Sequence, residues 1–183
     1  MKTRWGVFGV VVCAGILALA GCGYTTRSLI SGRYKTIYIQ PVVNKIDITA
    51  ATNVGTKYKI YRPHLETDLT RAITNKYLFD GNLKPMNSGA ADVTLKSELV
   101  DFRRDPLMYD TNDEVAEYRI NIVLTMLFWD NRENKMIWEE RSFTGDSTYF
   151  TAGHPGAKSE DQAVNDAVTD IARRVVERTV EEW

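Results

Sequence analysis

Alternating apolar and polar side chains predict four β-strands along this chain. In a strand, successive side chains point to opposite faces of the sheet, so a half-buried strand alternates with a period of two. The clearest such stretch is 114–129, in which every second residue from Tyr118 to Phe128 is apolar. The predicted strands are residues 36–43, 91–104, 114–129 and 136–150.

The second predicted strand changes phase part-way along. Apolar residues occupy odd positions up to Leu99 and then appear at Val100 and Phe102, which predicts a β-bulge or a change of buried face near Leu99. We expect Asp105-Pro106 to end this strand. A loop is then predicted over residues 105–113, between two long strands.

Two other stretches repeat apolar residues every three or four positions, as amphipathic helices do. The first begins at Pro63, taken as the first helical position, and stops at Gly81. The second follows a capping box of Ser159 and Gln162 and runs to the C-terminus. The order β-α-β-β-β-α predicts an α+β two-layer sandwich, with both helices on one face of a four-stranded mixed sheet. The other face remains a candidate partner surface.

The N-terminus has the pattern of a secretory signal. Lys2 and Arg4 precede an apolar run of about 13 residues, which is shorter than the roughly 20 that a membrane-spanning helix needs. The run ends in Leu19-Ala20-Gly21-Cys22, which resembles the bacterial lipobox, in which the cysteine is acylated after cleavage before it. This predicts a signal peptide over residues 1–21, a lipidated tether over 22–34 and a single domain over 35–183.

The composition argues against several classes of function. The formal net charge is −1, which gives no basic surface for nucleic acid. The two cysteines are Cys13, which leaves with the signal peptide, and Cys22, which is the predicted acylation site. The mature domain is therefore expected to hold no disulfide, thiol nucleophile or cysteine metal ligand. Two or three acyl chains on Cys22 would hold the domain firmly at a membrane.

Candidate catalytic and metal-binding groups do not form recognisable sets. His64 and His154 are isolated, without a second histidine or cysteine at metal-ligand spacing. The acidic residues from Asp110 to Glu114 lack the glycine and distal glutamate of a calcium loop and are interpreted as a solvated turn. We therefore predict no catalytic residue, no metal site, no cofactor and no enzymatic activity.

Arg103 and Arg104 form a paired basic site at the end of the second predicted strand. Guanidinium groups bind phosphates in a bidentate manner, so these two residues are candidate ligands for an anionic partner. The alternative is that they pair with Asp101 or Asp105 as an ordinary charged strand end. Both interpretations remain open from the sequence.

An apolar segment occupies the predicted loop. Leu107, Met108 and Tyr109 follow Pro106 in a position where an isolated domain normally keeps polar residues. Exposed apolar and aromatic side chains at a tip are typical of a partner interface. The alternative is that this segment folds back onto its own sheet.

Several segments together resemble the LPS-assembly lipoprotein family, LptE. The similarity covers nearly the whole predicted mature chain, and the order and spacing of the segments carry it. The segments are Cys22-Gly23-Tyr24, residues 35–44, the helix over 65–78, residues 91–95, 105–110, 117–120 and 138–145, and the acidic-to-basic final helix.

The resemblance implies a non-enzymatic lipoprotein of the outer membrane whose domain faces the periplasm. Members of the family plug the barrel of the lipopolysaccharide-export translocon, which is the LptD-like partner, and help it to fold. For this chain the resemblance carries over the acylated Cys22. It also implies barrel contacts from residues 106–109, and lipopolysaccharide is a further candidate ligand, with phosphates meeting Arg103 and Arg104. By analogy with bacterial lipoprotein sorting, Gly23 after the acylated cysteine favours the outer membrane.

Two other functions were weighed against this one. Outer-membrane lipoproteins that activate a peptidoglycan synthase share a similar first strand over residues 37–44, but they lack the stretch from Tyr109 to Arg119. An envelope hydrolase would need a nucleophile–base set or a pair of carboxylates in a cleft, and the sequence offers no such set. The sequence therefore favours LPS assembly.

The lipobox leads to a direct test of the membrane anchor. Replacing the thiol, Cys22→Ser, removes the acyl acceptor, so we expect complete loss of lipid incorporation and accumulation of an uncut precursor. Metabolic labelling with a fatty acid, followed by gel analysis of precursor and mature forms, measures both effects. Lipid incorporation that persists in the variant would disprove the lipoprotein assignment.

Overall fold

The structure, a computed structural model, describes residues 32–46, 62–151, 153–154 and 156–180. The predicted signal peptide, Cys22 and most of the predicted tether lie outside these residues. In the described part, two helices and six strands follow one another as β1 Thr36–Ile39, β2 Val43–Asn44, α1 Leu65–Asp80, β3 Lys84–Pro85, β4 Val93–Tyr109, β5 Val115–Asp130, β6 Lys135–Phe150 and α2 Glu160–Val180. Neither of these two helices is long and apolar enough to cross a bilayer.

All six strands form one mixed sheet. Its order is β3-β1-β4-β5-β6, with β2 also pairing with β4. β1 and β2 lie parallel to β4, and β3 lies parallel to β1, whereas β4, β5 and β6 form an antiparallel meander. The α+β class is thus confirmed, but the predicted count of four strands and the predicted order β-α-β-β-β-α were wrong, because β2 precedes α1 and β3 follows it. β2 and β3 have two residues each, too few to show alternation, and the chain leaves the sheet around Pro41 between β1 and β2.

The predicted bulge in β4 is confirmed. Leu99 pairs with Leu124 and Asp101 pairs with Val123, so Val100 is an extra residue in the β4–β5 ladder. The extra residue shifts the alternation by one, and Leu99 and Phe102 are therefore both buried. After the bulge, the even-numbered residues of β4 point toward the helices, and the odd-numbered residues point to the opposite face.

The prediction that Asp105-Pro106 ends this strand was wrong. β4 continues to Tyr109, with Pro106 opposite Tyr118, and only a turn over residues 110–114 separates it from β5. Beyond Leu99, β4 pairs with β5 alone in the described part of the chain, and a second irregularity follows Pro106. Proline is tolerated at sheet edges and bulges, and Pro106 occupies both.

The helix ends are set largely by the predicted residues. Gly81 closes α1 with a left-handed φ of 76°, and its N–H donates to the Tyr77 carbonyl. At the start of α2, Ser159 and Gln162 exchange hydrogen bonds of 2.9 and 3.1 Å, which confirms the capping box. Pro63 lies before α1 rather than in it, because His64 takes a left-handed φ of 64° and the helix begins after it.

Both helices cover the same face of the sheet and bury its apolar side chains. The hydroxyls of Tyr77 in α1 and Thr179 in α2 share a buried hydrogen bond of 2.6 Å. Burial raises the pKa of Tyr77. On the sheet, Gly145 of β6 lies directly beneath the backbone of Ile171. The core therefore depends on a close approach of α2 to the long strands.

A polar network at one end of the sheet holds the first described residues of the chain against the domain. The Tyr34 hydroxyl donates to the buried Asp130 carboxylate at 2.6 Å, and Arg33 donates to the same group at 3.4 Å. Arg132 and the Lys35 N–H both donate to Asp92, at 2.6 and 2.7 Å. Burial, followed by the bond to Asp130, raises the pKa of Tyr34 to about 12. Tyr34, at the predicted end of the tether, is thus fixed in the core.

The sandwich therefore has two distinct ends. The proximal end is defined here as Gly32–Thr36, the β5–β6 turn at residues 131–134 and the last turn of α1. The tip is defined as Leu107, Met108, Tyr109 and the turn at residues 110–114. The three long strands β4, β5 and β6 run between these two ends.

The close approach at Gly145 gives a stability test. A β-carbon at this position would lie 2.3 Å from Cβ and 2.8 Å from Cα of Ile171, so Gly145→Ala must push α2 away from the sheet. We expect a loss of about 2 kcal/mol in the free energy of unfolding, as overpacking of a core typically produces. Gly89→Ala is the matched control, since a β-carbon there meets nothing within 4 Å. Denaturant unfolding that gave equal stability for both variants would contradict this packing.

Candidate functional site

The apolar segment of the tip is exposed. β4 pairs Pro106 with Tyr118 and Met108 with Glu117, so Leu107 is an extra residue without a partner on β5. The exposed fractions of Leu107, Met108 and Tyr109 are 40, 43 and 54%. The segment therefore does not fold back onto its own sheet. It presents three neighbouring apolar side chains to solvent at the end of a long hairpin.

The turn beyond Tyr109 is held by one carboxylate. Asp110 accepts hydrogen bonds from the backbone N–H groups of Asn112 and Glu114, at 2.8 and 2.9 Å. These bonds favour the ionised carboxylate and lower the pKa of Asp110. Asp113 takes a left-handed φ of 60°, which lets the chain reverse within a short turn. Asp110 thus positions the turn next to the apolar segment.

Arg103 lies on the sheet face that the helices leave open. Its guanidinium donates to Asp101 and to Asp105, each at 2.9 Å. The bond to Asp105 is the main reason that the pKa of Arg103 is raised. Asn121 on β5 donates to the same Asp105 oxygen at 2.8 Å. Arg103 is therefore held between two carboxylates, the arrangement that the sequence left as the alternative.

Arg104 lies on the opposite face, under the first turn of α2. Its guanidinium forms a salt bridge with Glu160, and the Tyr149 hydroxyl donates to the same carboxylate at 2.9 Å. The guanidinium carbon also stands 4.7 Å from the centre of the Tyr118 ring, within range of a cation–π interaction. Arg104 thus links β4 to the N-terminus of α2.

The two arginines do not form one site. Consecutive residues of a strand point to opposite faces, and β4 continues through both positions. The idea of a paired site depended on the strand ending nearby, which it does not. The contact of both arginines with lipopolysaccharide phosphates stays an untested prediction. The geometry favours Arg103, which shares a face with the open side of the sheet, over Arg104, which is held against α2.

The open face combines charges near the tip with an apolar strip near the proximal end. Arg119 stands opposite Asp105 and lies 4.0 Å from Asp146, which adds a cation that the sequence reasoning did not single out. Towards the proximal end, Lys96 stands 5.7 Å from the centre of the Trp129 ring. Trp129 pairs with Met136, whose side chain is exposed. None of the described helices covers this face.

The two histidines take structural positions. His64 is the residue before α1, and the ring of His154 stacks on Phe150 with centroids 5.7 Å apart. Among the described residues, no three His, Cys, Asp or Glu side chains are close enough to share a metal ion. The candidate functional site is thus formed by the tip and the open face.

The described part of the chain is a two-layer α+β sandwich with an apolar tip and one sheet face that no described helix covers. Domains of this class are suited to contacts with other macromolecules. Among the solved structures that are similar to this chain, two illustrate the shared fold. XCC0632 from Xanthomonas campestris matches with a TM-score of 0.54 and 11% identity, over 80% of this chain and 83% of its own. The hypothetical protein CT253 from Chlamydia trachomatis matches with a TM-score of 0.51 and 13% identity, over 80% and 95%. No curated protein sequence matches the chain.

The sequence profile of the lipopolysaccharide-assembly (LptE) family matches residues 34–179. The match begins at the buried Tyr34 and extends into the last turn of α2, so it spans the whole sandwich. The chain belongs to this family. At the level of the family, it is a lipopolysaccharide-assembly lipoprotein. The family is non-enzymatic, and membership implies partnership with LptD and association with lipopolysaccharide in general.

Separating the two arginines by single substitutions tests their predicted roles. We expect Arg103→Gln to weaken lipopolysaccharide binding several-fold at low ionic strength and less at high ionic strength, because salt screens exposed charges. Arg104→Gln should leave binding unchanged and lower the free energy of unfolding by about 1 kcal/mol, through loss of the partly exposed link to Glu160. A titration at two salt concentrations and a denaturant melt measure these effects. Unchanged binding in Arg103→Gln would remove this residue from the site.

Proposed function

We propose that this chain is anchored in the outer membrane through acyl chains on Cys22, with its domain facing the periplasm. There it plugs, and helps to assemble, the LptD-like barrel that delivers lipopolysaccharide to the outer leaflet. Family membership supports the assignment to lipopolysaccharide assembly. The observation that carries the plug role is the exposed apolar tip on the β4–β5 hairpin.

The reach of the hairpin supports insertion into a barrel. β4 has 17 residues, which at about 3.3 Å per residue span roughly 55 Å. The hydrocarbon core of a bilayer is about 30 Å thick. A domain held at the periplasmic surface by its proximal end can therefore place the tip deep within a barrel that crosses the membrane.

The open face supports the same role. Barrel interiors are polar and filled with water, so a plug needs a face that tolerates hydration. The half of the open face near the tip carries two ion pairs, Arg103 with Asp105 and Arg119 with Asp146. Such internally paired charges can remain hydrated inside a lumen while the apolar tip makes the tighter contact.

Lipopolysaccharide contact fits this proposal only with a rearrangement at Arg103. A phosphate that binds there must replace Asp101 or Asp105 as the partner of the guanidinium. Leu107, Met108 and Tyr109 need no such exchange, because they are already exposed. The tip therefore carries the functional proposal, and binding of lipopolysaccharide by Arg103 is an addition to it.

Activation of a peptidoglycan synthase was the alternative function. This hypothesis rests on similarity in the first strand, whereas the family match extends over residues 34–179. The same family membership supports a role without catalysis. We therefore propose lipopolysaccharide assembly and no second function.

Removing the apolar character of the tip tests the proposal. Leu107→Ser with Tyr109→Ser should reduce recovery of the barrel complex about tenfold or more, the effect of losing central interface anchors. The isolated domain should melt as the parent does, because both side chains are already exposed. A pull-down in detergent and a thermal melt give the two readouts.

The matched control uses the other exposed apolar pair. Leu78→Ser with Phe79→Ser changes two side chains of similar size at the proximal end. This variant should be recovered with the barrel as efficiently as the parent, because the pull-down is done in detergent and measures protein contacts alone. Full recovery of the tip variant, or a large fall in its melting temperature, would show that the tip is not the interface.

A further inference from the structure

The last turn of α1 exposes two consecutive apolar side chains. The exposed fractions of Leu78 and Phe79 are 60 and 88%. The preceding residue, Tyr77, belongs to the buried stripe of the helix, and Gly81 ends the helix just beyond. Leu78 and Phe79 therefore lie off the core-facing side of α1. Nothing in the described part of the domain covers them.

This pair lies at the end of the domain where the chain arrives from its N-terminus. The chain passes from Phe79 through Gly81 to β3, and the Lys84 N–H donates to the Lys35 carbonyl at 2.9 Å. Lys35 is separated by only two residues from Gly32. Leu78 and Phe79 therefore share the proximal end with the point at which the segment from Cys22 joins the fold.

The length of that segment bounds the distance to the membrane. Roughly ten residues separate Cys22 from Gly32, which reach at most about 36 Å when fully extended. If Cys22 is acylated, the proximal end must stay within this distance of the bilayer surface.

The charges around the pair suit a lipid surface with anionic headgroups. Lys35, Lys76 and Lys84 form no salt bridge with any described carboxylate, and Lys35 and Lys84 are exposed. Asp80 is the acidic residue in the same turn of α1. Basic residues beside exposed apolar side chains are the combination that binds the interface of an anionic membrane.

We propose that Leu78 and Phe79 insert into the phospholipid surface to which Cys22 is anchored and so fix the orientation of the domain. This inference rests on the proposed lipid anchor. The pair lies at the opposite end of the sandwich from the tip and cannot extend that interface, and two side chains alone fall short of the about 800 Å² that each partner of a stable protein complex buries. Insertion of single Phe and Leu side chains into a headgroup region needs no larger surface.

The test places an environment-sensitive label at the pair in the full acylated chain. Phe79→Cys is labelled with a thiol-reactive NBD dye and reconstituted into vesicles of phosphatidylethanolamine and phosphatidylglycerol. We expect a blue-shifted emission and about threefold stronger quenching by nitroxide lipids than at the control site. The control is Thr67→Cys, an exposed position about 18 Å farther back along the same helix.

The outcomes separate failure of the anchor from failure of the inference. Cys13 is removed with the signal peptide, so an acylated parent has no free thiol and should take up no dye. Labelling of the parent would show that Cys22 is not acylated, which overturns the anchor and the inference that rests on it. An unlabelled parent with equal, weak quenching at both sites would overturn the inference alone.

A protein partner gives a different result. If the dye at position 79 were shielded only when the barrel is reconstituted with the chain, and not in lipid vesicles, the pair would be a protein contact and the proposal would be wrong. On the proposal, adding Leu78→Ser to the labelled Phe79→Cys chain should weaken the quenching by nitroxide lipids relative to the labelled chain without it. The same substitution should leave the thermal melt unchanged, because Leu78 is exposed.

Discussion

The close packing of α2 onto the long strands is the constraint on which the rest of the structure depends. A sheet with one apolar face must bury it against another layer, and α2 supplies most of that layer. Gly145 on β6 and small inward residues on α2, such as Ala167, let the helix come close to the sheet. Since both helices pack on this face, no described helix covers the opposite face of the sheet.

The longer elements could be predicted because their pattern of burial repeats often enough. Strands β4 and β5 and both helices show regular alternation or helical periodicity, and the bulge at Leu99 appears directly as a change of phase. The two-residue strands β2 and β3 contain no full period, so no pattern could predict them. The end of β4 was predicted too early because of Pro106. A proline interrupts a strand only where its missing N–H would pair with a neighbouring strand, and the sequence does not show whether such a neighbour is present.

The candidate site was predictable to a different extent at each residue. The exposure of Leu107, Met108 and Tyr109 agrees with the prediction that these apolar residues form an exposed tip between two long strands. The partners of Arg103 stand two residues away on either side, on the same face of one strand, and were weighed from the sequence. Glu160, which binds Arg104, lies in another element more than fifty residues away, so its contact could not be predicted from the sequence.

The position of Pro106 has a consequence for self-association. Beyond Leu99, one side of β4 has no described neighbour, so its backbone groups could serve as a template for a strand of another molecule. Proline offers no N–H to such a strand, and the alternation of Asp101, Arg103 and Asp105 places fixed charges along the same border. The residues that make this segment look like the end of a strand therefore also discourage one copy from adding to the sheet of the next.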